Sequence, residues 1–192
     1  MSGLFEENER MNTMTRRRFL KLGALSTACL SLPGAALAGL RAPSAPARAL
    51  AFYNTHTGES LKTMYWEKGR YISGALGEIN HILRDFRVNE VRPIEPSLLD
   101  VLHAIAGKLD TREPFHIISG YRSPSTNAML AAHSEGVARH SLHQFGKAAD
   151  IRVPGRDLKT LHRVAIALRG GGVGYYPRSD FVHVDIGRVR YW

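Results

Sequence analysis

Cysteine is almost missing from this chain of 192 residues: its one thiol, Cys29, lies in an apolar N-terminal stretch. Once that stretch is removed, disulfides and thiolate ligands are both excluded, and any metal site has to be built from His, Asp and Glu. Acidic residues are scarce as well, 17 Asp and Glu standing against 26 Lys and Arg for a formal net charge of +9. The apolar stretch Leu22 to Leu32 is too short to span a bilayer well. No internal repeat is visible. What is present, 44% hydrophobic and 22% charged residues, belongs to an ordinary globular chain of one domain rather than to a disordered or membrane-embedded one.

The N-terminus departs from that average. Arg16, Arg17, Arg18 and Lys21 form a basic region, Leu22 to Leu32 an apolar one, and Ala36-Leu37-Ala38 ends it in the small-x-small form read by signal peptidase. Thr-Arg-Arg-Arg-Phe-Leu-Lys resembles a twin-arginine export signal, with Arg16 and Arg17 as the pair. Residues 1–38 are therefore expected to be a cleaved signal peptide handled by the twin-arginine export machinery, placing the mature protein in the periplasm. Ser26-Thr27-Ala28 is a poor lead-in for lipidation at Cys29, so no stable membrane anchor is expected. Residues 1–38 hold five Lys and Arg and three Asp and Glu, so their loss takes the charge from +9 to +7. Charge alone does not decide a partner. Nucleic-acid binding has no aromatic-basic pattern behind it and is disfavoured by export.

Residues 39–49, rich in Pro, Ala and Ser, read as a flexible lead-in, and residues 50–192 as the folded domain. A hairpin is expected about Thr57-Gly58-Glu59, helices over Ile72–Phe86, Pro96–Leu109, Asn127–His133 and Leu158–Leu168, and strands at Phe115–Ser119 and Ala148–Val153. Two short strands flank the turn Pro177-Arg178-Ser179. The pattern predicts an α+β fold, a single compact domain with a central, largely antiparallel sheet and flanking helices.

Of the nine histidines, His81, His103 and His162 fall in predicted helices, and His56, His116 and His133 lack acidic partners at a telling spacing. His143 and His183 differ. His143 precedes a strand containing Asp150, and in "FVHVD" Val182 and Val184 face one way while Phe181, His183 and Asp185 face the other. Polar groups backed by an apolar face need a partner. Two histidines and one carboxylate suit a catalytic zinc, which uses three protein ligands and one water. Spacing alone leaves metal binding open.

"SGYRS" (Ser119–Ser123), "SLHQFGKAAD" (Ser141–Asp150) and "FVHVD" (Phe181–Asp185) occur in that order and resemble the three motif blocks of the zinc D-alanyl-D-alanine peptidase family. From about Leu50 to Trp192 the chain is similar to the murein endopeptidase K branch of that family. The resemblance implies a D-Ala-D-Ala peptidase or hedgehog-like fold with its zinc site on the sheet. It makes His143, Asp150 and His183 the ligands of one Zn2+ per chain. Arg122 is then expected to hold a substrate carboxylate or the developing oxyanion, and Ser141 to bond the substrate. Asp180, three residues before His183, is the favoured general base. Asp185 is the second candidate for that role, acting otherwise on a substrate amine or as the group that orients His183.

The implied activity is hydrolysis of peptide cross-links of peptidoglycan by metal-activated water, with peptide stems and cross-links as partners. A D,D- or L,D-carboxypeptidase and a catalytically inactive, zinc-containing wall-binding module are the alternatives.

Overall fold

The computed structural model describes residues 46–133 and 137–192. The expected signal peptide and most of the expected lead-in lie outside the described residues. Strand β1 (Arg48–Asn54) begins inside the stretch read as lead-in and pairs with β2 (Ser60–Glu67) as the predicted hairpin. The turn is held by the Asn54 side chain, whose Oδ1 accepts from the backbone N–H groups of His56 and Thr57. A short β3 (Arg70–Tyr71) leads to α1 (Ser73–Ile82) and α2 (Pro96–Lys108). Then come β4 (Phe115–Ser119), α3 (Pro124–His133), β5 (Ala148–Arg152), α4 (Leu158–Leu168), β6 (Gly172–Tyr176), β7 (Phe181–Asp185) and β8 (Arg190–Tyr191).

The strands form one sheet in the order β3-β2-β1-β4-β5-β7-β6-β8. β1–β4 and β6–β8 run parallel and the other pairings antiparallel, so the sheet is mixed with the predicted antiparallel majority. Parallel pairing of β1 with β4 follows from the crossover through α1 and α2, since a parallel neighbour cannot be reached by a tight turn. Alternation along the strands sorts the two faces. Leu50, Phe52, Phe115, Ile117, Ala149, Ile151, Val182 and Val184 face inward and join Ile79, Leu98, Leu102, Leu161 and Ala165 of the helices in one core. Each large aliphatic side chain buried there stabilises the fold by about 1.5–3 kcal/mol. The other face carries Asp150 on β5 and His183 on β7, paired directly across the ladder.

Two helices differ from the pattern-based expectation. α1 stops at Ile82 because the Leu83 carbonyl accepts from Tyr121 N–H (2.8 Å) and Asp85 exchanges backbone bonds with Glu90. α3 starts at Pro124, three residues early, with Ser123 Oγ accepting from Thr126 N–H in the manner of an N-cap. Among the described residues no helix is long and apolar enough to cross a membrane.

Candidate metal centre

His143 reaches the sheet from a 3-10 turn, Leu142–Phe145, that sits between α3 and β5. Ser141 caps this turn by accepting from His143 N–H (3.4 Å), and Gly146 ends it with φ +64°. A Cβ at Gly146 would lie 2.2 Å from the Pro93 carbonyl oxygen, so glycine is required twice over, for its conformation and for the close approach. Ala148 and Ala149 are fully buried beyond it. The result is that His143, Asp150 and His183, all buried, bring one ligand atom each to a common point.

The distances define a small triangle. His143 Nε2 lies 3.2 Å from both Asp150 Oδ1 and His183 Nδ1, and the last two are 2.8 Å apart. The opposite ring nitrogens fix the tautomers. His143 Nδ1 faces the Gly120 carbonyl oxygen at 2.6 Å, which can only accept, so Nδ1 carries the proton and Nε2 a lone pair. His183 Nε2 donates to Asp185 Oδ2 at 3.0 Å, which leaves a lone pair on Nδ1. With both rings neutral, two nitrogen lone pairs and a carboxylate oxygen face one another, an arrangement that needs a cation between them. Bonds of 2.0–2.1 Å in a tetrahedron put ligand atoms about 3.3 Å apart, so the triangle fits three corners of a four-coordinate site.

The electrostatics agree. Burial drives the His143 imidazolium down, keeping the ring neutral. Burial alone would raise the Asp150 carboxyl, but the His143 and His183 rings and Arg122 outweigh it and hold the group well below the usual carboxylate range. His183 shifts upward: the carboxylates of Asp150 and Asp185 overcome the burial that opposes its charged form. A proton is thus the competing occupant of the triangle.

The remaining candidates divide. Arg122 is brought to the centre, where Nη2 donates to Asp150 Oδ2 in a short bond and Nε to Ser119 Oγ at 2.7 Å. It braces the ligand, leaving Nη1 without a partner among the described residues. Asp185 is buried beneath His183 and accepts also from Gly172 N–H (3.0 Å), Gly187 N–H (2.8 Å) and both terminal nitrogens of Arg190 (3.1 and 2.7 Å). Every lone-pair direction is used, so it is placed to orient His183. Asp180 is not brought into the triangle. It lies exposed just before β7 with φ +51°, and its Oδ2 accepts from Arg152 Nη1 at 2.8 Å.

Three supporting residues escape a reading of the sequence: Ser119, Arg190 and Trp192. Trp192 packs its ring 5.3 Å from His183 and donates from Nε1 to Tyr176 Oη at 2.7 Å. The roles of Arg190 and Trp192 depend on the parallel β6–β8 contact, for which the short segment Arg190–Tyr191 gives no periodic signal. Around the triangle opens a cleft of about 580 Å³, lined on one side by His56, Ile118 and Arg87 and on the other by Tyr176, Phe181 and Trp192.

Comparison with known sequences places the chain in a family. The family model described as peptidoglycan L,D-endopeptidase MepK, Peptidase M15_2, matches residues 42–192. The peptidoglycan L,D-endopeptidase MepK of Escherichia coli K12 is 44% identical over 177 residues, covering 92% of this chain and 96% of that protein. The probable peptidoglycan L,D-endopeptidase MepK of Haemophilus influenzae is 39% identical over 178 residues, covering 92% and 95%. A match over the whole described domain, together with a His-Asp-His triangle on the sheet, shows that the chain belongs to the peptidoglycan L,D-endopeptidase MepK family of the M15 peptidases.

Proposed function

We propose that the chain is an exported, zinc-dependent endopeptidase that hydrolyses an L,D peptide bond in peptidoglycan cross-links. The observation that carries the reading is the triangle of His143 Nε2, Asp150 Oδ1 and His183 Nδ1, three acceptor atoms spaced as three corners of a tetrahedron. A zinc ion held there supplies a Lewis acid and a water of lowered pKa. The protein's own part is to fix geometry. Gly120 and Asp185 hold the protons of His143 and His183 on the outer nitrogens. Arg122 holds Asp150 through Oδ2, which leaves Oδ1 for a metal ion, and its remaining amino group, without a partner among the described residues, would serve a developing oxyanion. Ser141, at the cleft wall, offers a hydroxyl to the substrate backbone.

Asp180 is the proposed proton carrier. Its carboxylate is exposed between Ser179 and Phe181, both of which line the cleft. The pair with Arg152 is a surface one, worth about 1 kcal/mol or less, so release toward the reacting atoms is cheap. The basic signal sequence supports twin-arginine export, and a peptidoglycan substrate supports action in the periplasm. The test is digestion of cross-linked muropeptide dimers by the mature protein. Hydrolysis of the L,D bond that stops on EDTA treatment and in His143→Ala is expected; full activity after complete metal removal refutes the reading.

A further inference from the structure

The cleft is lopsided in charge. Among the described residues that line it, Asp150 is the one carboxylate, facing Arg87, Arg122 and Arg190. Two of these guanidinium groups are spoken for: Arg122 is bonded to Asp150 and Arg190 to Asp185. Arg87 is not. Its nearest acidic neighbour in sequence, Asp85, is occupied by the N–H groups of Arg87 and Ser123, and among the described residues the Arg87 guanidinium has no hydrogen-bond or ion-pair partner.

The side chain is nonetheless held in place. Its guanidinium lies over the Phe86 ring, 4.4 Å from the centroid, and Phe86 stacks in turn on His56 at 4.1 Å with planes 14° apart. His56 is tied to the sheet by a bond from Nε2 to the Ile118 carbonyl (3.0 Å). The tier His56-Phe86-Arg87 therefore presents a rigidly backed cation, with its planar fork left over for an anion. Burial presses on the Arg87 guanidinium, the Asp85 carboxylate partly offsets this without bonding to it, and the Arg122 charge adds to the pressure.

Its position is set by strand order. His56 follows β1 and Ile118 lies in β4, on one side of the β5–β7 pair that bears Asp150 and His183; Tyr176, on β6, lies on the other, beside Phe181 at the start of β7. A peptide lying across the sheet thus meets a cation at one end and an aromatic wall at the other.

We propose that Arg87 holds a free carboxylate of the peptide substrate at the β1–β4 end of the cleft, setting which peptides are accepted. This rests on the proposed peptidase reading. It also divides two tasks that the sequence offered to Arg122 as alternatives: Arg122 keeps the developing oxyanion, and Arg87 takes the substrate's acid group.

The test uses the zinc-loaded mature protein and two versions of one stem peptide, with its free carboxylate and with that group amidated, measured by isothermal titration calorimetry. The wild type is expected to bind the free acid about tenfold more tightly, the size of one charge-assisted bidentate contact. Arg87→Ala should lose that preference by weakening the acid only, Arg87→Lys should keep part of it, and all should melt alike. An unchanged preference in Arg87→Ala, or none in the wild type, overturns the proposal. Cleavage of cross-linked dimers is scored separately. A protein that shows the Arg87-dependent preference but cleaves nothing refutes the reaction and not the carboxylate site, whereas cleavage without preference refutes the site alone.

Discussion

Replacing Asp185 by Asn removes one charge and almost no volume, yet it should dismantle the metal centre from below. Five donors converge on this carboxylate: His183 Nε2, Gly172 N, Gly187 N and two nitrogens of Arg190. Asn offers one oxygen in place of two. If its NH2 faces His183 and Arg190 Nη2, donors meet donors; if it is flipped, the two glycine N–H groups and Arg190 Nη1 are stranded. A buried donor left without an acceptor costs about 1–3 kcal/mol. Arg190 is one-third exposed and can turn to water, which discounts its share. The net loss should be about 2–4 kcal/mol. For a domain of this size that is a fall of roughly 5–12 °C in the melting temperature of the metal-free protein. A second effect is specific to the site. With a neutral amide behind it in place of a carboxylate, His183 holds its proton on Nε2 less firmly, so Nδ1 ceases to be a dedicated lone pair, and zinc affinity should drop about 10- to 100-fold. Competition with a fluorescent chelator measures the affinity, and thermal melting with and without zinc the stability. Wild-type zinc affinity in the Asp185→Asn variant would refute the assignment of Asp185 as the group that orients His183.

Two further outcomes are expected. Asp180→Asn should lower kcat by about 100-fold or more while zinc affinity stays as in the wild type, since general acid-base catalysis is worth about 10²–10⁴; Arg152→Ala, which only frees Asp180, should stay within a few-fold of wild type, and near-normal turnover by the Asp180→Asn variant would move the base elsewhere. Asp85 gives a pH signature: burial would raise its carboxyl, but the Thr126 hydroxyl and the Ser123 and Arg87 N–H groups outweigh it and hold the group below its ordinary value. Its stabilisation is therefore complete above the unfolded value of about 3.9 and fades as pH falls through the lower folded value. Melting curves of wild type and Asp85→Asn should differ at pH 6 and converge near pH 2; a constant gap would contradict this.

The limits of the sequence reading follow one pattern. Strand β4 and helices α2 and α4 were legible because each buries one face, and alternation or 3.6-residue spacing records that directly, whereas β5 is buried on both faces. The meeting of His143, Asp150 and His183 at one point was legible through the motif blocks, not through spacing. What could not be read depends on partners far along the chain. α1 ends early because a loop nearly forty residues later claims the Leu83 carbonyl. Nothing in "SGYRS" reveals that the Arg122 fork also closes on Asp150 and Ser119. Asp185 was left between roles because nothing in "FVHVD" reveals that Arg190 of the short β8 closes on it from the side away from His183's metal-facing nitrogen. Arg87 carried no signal at all, since its meaning lies in having no partner among the described residues of the fold.

The brace formed by Arg190 and Asp185 also has a consequence for a shortened chain. His143 and Asp150 acquire their supports from Gly120 and Arg122, which precede them in the chain. His183 acquires its own from a strand made later, through Arg190 and the ring of Trp192. A chain cut before β8 would keep all three candidate ligands but lose the groups that brace Asp185 and flank the His183 ring. Such a chain is expected to hold a metal ion more weakly than the whole domain.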